Sequence, residues 1–430
     1  MLSHFSLVRG LIVLCLSIFV LLPTGAEASP ADSQNPNKGL TAEAAEDLRD
    51  TDVDKYLGQF SPATSEDVGD GWTKHTFDPD YDDEVPNGPV CIAGTPYTAF
   101  TRAGNPAKVL IFLNGGGACW QDFYNCSPLA SQNPPTSTGI FADSFDTGTE
   151  IVSNKFADWS IVVLSYCDGS IFIGDNDVVD LPDENGEGGF PLGPVRFHRG
   201  LRNASAGIDL ARATFPNASR ILLAGSSAGG AGVAVFAPFL VRFTYGNLVK
   251  LSVFNDAGPI ATNLNTADAF AARANDWQFA QFYPDSCIDC EPLGDAIPLI
   301  HWRLDNDRTV REAFYSTDGD VVDRFFVSAN LPGFPPVLPF DPPNGVFGLS
   351  QVEYRELILE RHGLLHEAHP DRYKRFIRSG SDAHTALRGN RFYLGEINGV
   401  PLNEWTDDFV IPRPFWIDLI EDFIPLPPLP

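Results

Sequence analysis

Four short apolar runs constrain the fold of this 430-residue chain more than any other feature of its sequence. They are KVLIFL (108–113), SIVVLSY (160–166), RILLAG (220–225) and KLSVFN (250–255). Continuous apolar runs of this length are typical of strands buried on both faces, and helix-length segments separate some of them. The pattern predicts a single-domain α/β fold with a mostly parallel central sheet and helices on both faces.

Other segments predict the remaining elements and the extent of the domain. Amphipathic patterns predict helices over 200–215, 229–243 and 266–282. Further along, AIPLIHWRL (296–304) predicts a strand, RTVREAFY (308–315) a helix and YKRFIRS (373–379) a late strand. We expect the folded domain to cover residues 73–420, followed by an extended proline-rich tail over 421–430.

The N-terminal region has the features of an export signal and an acidic arm. Arg9, an apolar stretch over 11–22 and the small residues Ala26 and Ala28 predict a signal peptide over residues 1–28. Its apolar core is shorter than the roughly 20 residues that span a bilayer. Residues 29–72 predict a flexible acidic arm. The nearby string DPDYDDE lacks the glycine and glutamate of an EF-hand, so we interpret it as a solvated loop.

The cysteine content and the net charge limit which cellular compartments and which partners are expected for this protein. Six cysteines remain once the signal is removed, an even number that favours disulfides in an exported protein. Cys287 and Cys290 form a CxxC, and we expect a local disulfide because no second pair completes a zinc site. Acidic residues outnumber basic ones 56 to 29, which makes nucleic acid and anionic membranes poor partners. We expect a secreted or periplasmic monomer without stable membrane insertion.

The segment GSSAG (225–229) fits the pattern GxSxG, with Ser227 at its centre. A nucleophilic serine in this pattern sits on a sharp turn between a strand and a helix, and both are predicted here. The amide of Ala228 would then start the helix and donate a hydrogen bond to an oxyanion. Ser226 falls on the variable position, so Ser227 is the predicted nucleophile.

A second glycine-rich turn, FLNGGGACW (112–120), follows the first predicted strand. Three consecutive glycines leave backbone amides free to point at one spot, as in the oxyanion loop of esterases. A plain flexible turn is the alternative interpretation.

A serine nucleophile needs a histidine base, which follows the later strands in hydrolases of this type. His384, in SGSDAHTAL, lies in a polar loop after the last predicted strand and is the predicted base. The trio His362, His366 and His369 has helical spacing, but we interpret it as a surface cluster rather than a metal site. His198 and His301 are expected to be packing or supporting residues.

The orienting acid should follow a strand between Ser227 and His384. Asp305, directly after PLIHWRL, is the predicted acid, and Asp307 is the alternative two residues further on. Asp256 ends the strand after the nucleophile and is a candidate for lining the site. Asp382 is close to His384 in sequence, which makes orientation of the ring difficult.

The chain resembles the pectin acetylesterases and the related Notum carboxylesterases. The resemblance rests on motifs that occur in the family's order between Cys91 and His384, namely CIAGTPYTAF, FLNGGGACW, YCDGSIFIGD, FHRG, AGSSAGG, NDAG and SDAH. It implies an α/β-hydrolase fold with Ser227, Asp305 and His384 as the catalytic triad. It also implies an oxyanion hole formed by the backbone amides of Gly117, Ala118 and Ala228.

The same resemblance guides the expectations about substrate. Ala118 stands where the family usually has tryptophan, which removes one wall of the usual pocket, and Trp120, Asp168 and Asp256 are candidates for lining it. We expect a serine esterase without cofactor or metal that removes acetyl groups from an acylated polysaccharide or a small ester. Removal of a lipid acyl group, as by Notum, is the alternative enzyme activity. A catalytically inactive binding protein on the same scaffold is the alternative outside enzymes.

Overall fold

The structure is a computed structural model that describes residues 39–79, 87–182, 184, 189–258, 267–290, 295–329 and 348–427, without the side chains of 267–270. The predicted signal peptide, residues 1–28, lies outside the described residues.

The strands of the described chain are numbered in chain order. They are β1 (Thr64–Gly69), β2 (Trp72–Thr76), β3 (Thr98–Arg102), β4 (Asn105–Leu113), β5 (Gly117–Trp120), β6 (Phe123–Cys126), β7 (Ser144–Asp146), β8 (Ile151–Ser153), β9 (Trp159–Leu164), β10 (Asn176–Val179), β11 (Val195–His198), β12 (Arg220–Ser226), β13 (Lys250–Asp256), β14 (Arg311–Thr317), β15 (Tyr373–Arg378), β16 (Glu396–Ile397), β17 (Val400–Pro401) and β18 (Leu419–Ile420).

The helices are numbered in the same way. They are α1 (Ala42–Asp50), α2 (Gly200–Thr214), α3 (Ala228–Ala234), α4 (Ala237–Tyr245), α5 (Ala267–Trp277), α6 (Ile297–Asn306), α7 (Val321–Ser328), α8 (Gln351–Ala368), α9 (Arg391–Leu394) and α10 (Leu402–Val410). No single helix in these described ranges is long and apolar enough to cross a membrane, and only the bent pair α3 and α4 together reaches that length and composition.

Ten strands form one mixed sheet in the order β1-β2-β3-β9-β4-β12-β13-β14-β15-β18. The strands from β9 to β18 in this order run parallel to one another, while β1, β2 and β3 form an antiparallel edge. The four apolar runs are β4, β9, β12 and β13, so the predicted parallel centre is confirmed.

The central strands bury both faces, because successive side chains of a strand point to opposite sides. In β4, Val109 and Ile111 belong to one apolar core and Leu110 and Phe112 to another. Residues of α2, α3 and α4 pack in the first core, and residues of α9 and α10 pack in the second. Helices on both faces of the sheet are therefore confirmed.

Two neighbouring elements were assigned the wrong way round. Residues 296–304 are helix α6 rather than a strand, and residues 311–317 are strand β14 rather than a helix. Pro298 suits the first turn of α6, where its missing N–H costs nothing. In β14 the charged Glu312 is buried because Arg303 of α6 donates to both of its carboxylate oxygens, at 2.7 and 2.9 Å. That buried ion pair hid the strand from a search for apolar runs.

Residues 39–72, which the sequence predicts to be part of a flexible arm, are folded. This region contains α1, β1 and the start of β2, and the side chains of Leu48 and Val53 are fully buried in the main core. The acidic residues of α1 lie on its outer face, while its apolar residues pack inward.

Three disulfides link the six cysteines of the described chain. They join Cys91 to Cys167, Cys119 to Cys126 and Cys287 to Cys290. The predicted local CxxC disulfide is confirmed.

Candidate active site

Ser227 lies at the turn between β12 and α3, where the sequence places it. Its backbone angles are φ 56° and ψ −124°, a combination that is rare for serine and marks stored strain. The turn is held on both sides, because the Ser227 N–H donates to the Asp256 carbonyl at 2.9 Å and its own carbonyl accepts from the Ala231 N–H at 3.0 Å. This is the geometry of a nucleophile elbow.

The two glycines of the motif are needed for close packing. A Cβ on Gly225 would lie 2.2 Å from the carbonyl oxygen of Gly229. A Cβ on Gly229 would lie 2.0 Å from the carbonyl oxygen of Leu113. Because both neighbours are backbone atoms, any side chain at these positions would push β4, β12 and α3 apart.

The triple-glycine turn lies against the nucleophile. A Cβ on Gly115 would be 2.7 Å from the Cβ of Ser227. Gly117 lines the same cavity as Ser227, whereas Ala118 is buried and pairs with Asn125 across β5 and β6. Ala228 is the first residue of α3, so its N–H has no acceptor within the helix. The oxyanion roles of Gly117, Ala118 and Ala228 remain predictions.

A cavity of about 530 Å³ opens over the nucleophile and brings the two predicted reacting side chains to one space. Its described lining consists of Gly115, Gly116, Gly117, Asn125, Cys126, Ser127, Pro128, Ser226, Ser227, Val322, Phe326, His384, Thr385 and Arg388. His384 Nε2 is buried and has no hydrogen-bond partner among the described residues. A ring nitrogen in that state, in the same cavity as a serine hydroxyl, is available to take its proton.

The carboxylate that orients His384 is Asp320. His384 Nδ1 donates to the Asp320 carboxylate, with distances of 2.8 Å to Oδ2 and 3.0 Å to Oδ1. Asp320 follows β14 and caps α7, where its Oδ1 also accepts from the N–H groups of Val322 and Asp323, both at 2.9 Å. Four hydrogen-bond contacts thus hold a fully buried carboxylate against the ring.

The structure does not place Asp305, the predicted acid, beside His384, whose Nδ1 contacts Asp320 instead. Asp305 lies near the end of α6 with 57% of its side chain exposed, and its carboxylate faces His301 and His369. The alternative Asp307 is buried against Arg242, whose guanidinium donates to both of its oxygens. The sequence pattern predicts a strand where α6 lies, so the predicted acid follows α6, whereas Asp320 follows the strand β14.

A second buried carboxylate lies next to this pair. Asp323 Oδ1 is 3.8 Å from His384 Nδ1, and Asp323 Oδ2 accepts from the Tyr354 hydroxyl at 2.9 Å. Burial, and next the Asp320 charge, raise the pKa of Asp323 well above its usual range. Burial alone lowers the pKa of His384, but the carboxylates of Asp320, Asp323 and Asp256 outweigh it and raise the pKa to about 9.

None of the three predicted lining candidates is on the described cavity wall. Trp120 stacks on Phe123 with ring centroids 4.0 Å apart, and it is buried. Asp168 is fully buried and accepts from the Ser170 and Phe172 amides, which fixes the YCDGSIFIGD loop. Asp256 is also fully buried, beneath the elbow.

The wall instead includes side chains that the sequence analysis missed. Val322 and Phe326 lie four residues apart on α7, so both face the cavity. Arg388 and Ser127 add polar groups from two loops. The helical spacing of Val322 and Phe326 after Asp320 is a sequence signal that could have predicted that both lie on one face of a helix.

The histidine trio after residue 360 does not form a metal site of its own. His362 is buried, stacks on Phe314 and contacts the Tyr373 hydroxyl at 2.6 Å. His366 contacts the Tyr373 carbonyl at 2.9 Å. His369 lies apart from both, beside His301.

A sheet with a parallel centre and a strained serine between a strand and a helix is the architecture of the α/β-hydrolase fold. Residues 81–286 match the model of the pectinacetylesterase family, so the resemblance read from the motifs is confirmed. Over those residues the chain is similar to the pectinacetylesterases, and this similarity supports a carboxylesterase-type hydrolase.

Solved structures support the fold. Two crystal forms of the Wnt deacylase Notum from Drosophila superpose with TM-scores of 0.52 and 0.53, at 16% sequence identity. The alignments cover 77% of this chain and 93% and 92% of the Notum chains. At that identity the likeness concerns the fold. A comparison with curated proteins gives no significant match.

Proposed function

We propose that the protein is a secreted serine carboxylesterase that removes acetyl groups from a polysaccharide, with Ser227, His384 and Asp320 as its triad. The observation that carries the proposal is the convergence on one cavity of a strained serine and a histidine whose Nδ1 is held by a buried carboxylate. The three disulfides support export to an oxidising compartment.

The reaction follows from these positions. His384 Nε2 takes the Ser227 proton as Oγ attacks the ester carbonyl, and Asp320 stabilises the imidazolium that forms. Backbone amides of Ala228 and of the Gly117–Ala118 segment donate to the tetrahedral oxyanion. The imidazolium then protonates the leaving alcohol, and a water molecule releases the acyl group from Ser227 as a carboxylic acid.

The wall of the cavity favours an acetyl ester of a polar alcohol. Gly115 packs against the nucleophile, Ser127 lines the same cavity, and Arg388 offers hydrogen-bonding groups to a hydroxylated polymer. Arg388 also places a positive charge at the cavity of a chain whose net charge is −27. Val322 and Phe326 supply an apolar strip, which is the feature that favours the lipid-acyl alternative.

Labelling with a fluorophosphonate tests whether the protein is an esterase at all. We expect covalent labelling of the wild type, loss of labelling in Ser227→Ala, and retention in the control Ser127→Ala, which lies on the same wall. No labelling, or labelling that persists in Ser227→Ala, would show that the site is not a serine esterase and would favour the binding-protein alternative.

A series of 4-nitrophenyl esters tests the acyl group. We expect acetate to be preferred at least about tenfold in kcat/KM over chains beyond about eight carbons, because each unaccommodated methylene is discriminated against. The opposite preference would move the assignment to lipid-acyl removal. Acetate release from acetylated pectin, compared with acetylated xylan, then tests the polysaccharide.

A further inference from the structure

Three residues that have no role in the proposed esterase reaction lie close together near the surface of the protein. His301 and Asp305 lie four residues apart on one face of α6, and His369 comes from the C-terminal end of α8. The sequence separation between His369 and the two α6 residues is more than 60 residues, so the cluster joins two distant segments.

The donor atoms of the cluster are spaced like metal ligands. His301 Nδ1 lies 3.1 Å from Asp305 Oδ2, His369 Nε2 lies 3.6 Å from Asp305 Oδ1, and the two ring nitrogens are 3.4 Å apart. Ligands bound to zinc at about 2.0–2.1 Å in a tetrahedron are about 3.3 Å from one another. The two imidazoles are nearly perpendicular, with an interplanar angle of 82°, so both can aim a nitrogen at a common centre without stacking.

The geometry points to a divalent transition-metal site, of which Zn²⁺ is the expected occupant, formed by His301, Asp305 and His369. Two imidazoles and a carboxylate are a donor set that suits zinc, and they leave a fourth position open to water. Because Asp305 and His301 are partly exposed, the ion can enter directly from solvent. The site would cross-link α6 to the junction between α8 and β15, and it is independent of the esterase chemistry.

One neighbour weakens the site and sets its expected affinity. Arg372 Nη2 lies 3.3 Å from His369 Nδ1, so a metal on Nε2 would leave the Nδ1 proton facing a guanidinium. The same guanidinium donates to the carbonyls of Leu304 at 2.5 Å and Asp307 at 2.7 Å, which makes the histidine contact the longest of the three. We therefore expect micromolar binding, below that of a fully enclosed zinc site.

A second group could compete for the ion, and the experiment has to separate the two. Asp320, Asp323 and His384 also place three ligand atoms close together. There, however, His384 Nδ1 is already bonded to Asp320, and a metal would displace that contact. Zinc bound by Asp320, Asp323 and His384 would act on the esterase site, whereas zinc bound by His301, Asp305 and His369 would not.

Calorimetric titration of the untagged, chelator-treated protein with ZnCl₂ tests the site, with Co²⁺ absorption as a check on coordination geometry. We expect one ion per chain, binding at least tenfold weaker in His301→Ala and in Asp305→Asn, and unchanged binding in His366→Ala and His384→Ala. Both weakening variants replace partly exposed side chains, and thermal unfolding of each variant is measured to check that it folds. His366 is the matched control, because it lies in the last turn of α8, near His369, and is not one of the proposed ligands.

Three results would overturn the inference. They are the absence of saturable binding near one ion per chain, binding that is unchanged in His301→Ala and Asp305→Asn, and binding that is lost in His384→Ala. The last result would place the ion at Asp320, Asp323 and His384, and His301, Asp305 and His369 would then form only ion pairs.

Discussion

Replacing Asp320 with asparagine tests the assignment of the orienting acid most directly. Oδ1 of Asp320 accepts from two backbone N–H groups at the start of α7, so the side-chain oxygen of asparagine must keep that position. Its NH₂ group then takes the place of Oδ2, 2.8 Å from His384 Nδ1, and donates to the ring. Donation by this NH₂ group to Nδ1 favours the tautomer with the ring proton on Nε2, which can no longer accept the proton of Ser227.

The size of the effect follows from this change of tautomer. Replacing the corresponding aspartate of a serine-protease triad with asparagine lowers kcat by about 10⁴. Four factors of ten correspond to about 5.4 kcal/mol of lost transition-state stabilisation. We expect the same order of loss in kcat/KM for Asp320→Asn, measured with 4-nitrophenyl acetate, and a change of less than about twofold for the matched control Asp305→Asn.

Unfolding measurements show whether the loss is chemical. Asparagine caps helices about as well as aspartate, so the α7 cap should persist and the free energy of unfolding should change by less than about 1 kcal/mol. The free energies of unfolding of the wild type and Asp320→Asn should be compared above pH 9, where His384 is neutral in both. The raised pKa of His384 means that its charged pair with Asp320 stabilises the fold fully below about pH 6.5 and is lost as pH rises through about 9. If Asp305→Asn abolishes activity while Asp320→Asn keeps more than a tenth of it, the assignment of Asp320 is refuted.

Three further expectations concern pH and stability. Since only neutral His384 accepts a proton and its pKa is raised to about 9, kcat/KM should fall as pH falls below that value, and a limb centred below 6.5 would contradict the described environment. Glu312→Gln should lower the urea-measured free energy of unfolding by about 3–5 kcal/mol, because Arg303 stays buried without its counter-charge, and a change under about 1 kcal/mol would show that the pair is dispensable. Gly229→Ala should prevent folding to the active form, as judged by circular dichroism and labelling, because its Cβ would lie 2.0 Å from the Leu113 carbonyl oxygen, and normal activity would mean that β4 can move.

The centre of the fold was predictable because its strands are apolar on both faces. β4, β9, β12 and β13 carry uninterrupted runs, and such runs have few other ways to be buried. The nucleophile was predictable for a related reason, since the glycines of its turn are required by backbone contacts that no other residue allows.

The acid was not predictable from the same logic, because it depends on a strand that contains charge. β14 buries Glu312, and its neutralising partner Arg303 lies on the helix before it, so the pair becomes visible only when both elements are packed. A local signal was nevertheless present. Asp320 precedes an apolar segment in which Val322 and Phe326 repeat at helical spacing, and aspartate is a preferred residue at the start of a helix.

Asp256 shows why a motif can mark the right place and the wrong role. Its carboxylate accepts from the Ser226 hydroxyl at 2.5 Å and from the amides of Ala386 and Leu387 at 2.8 and 3.0 Å. These bonds tie the turn that carries Ser227 to the loop that carries His384, although the two are more than 150 residues apart in sequence. A carboxylate at the end of a strand is expected to face substrate when the loops are unknown. Here it lies underneath and sets the spacing between the nucleophile and the base, so its contribution is to the rigidity of the site.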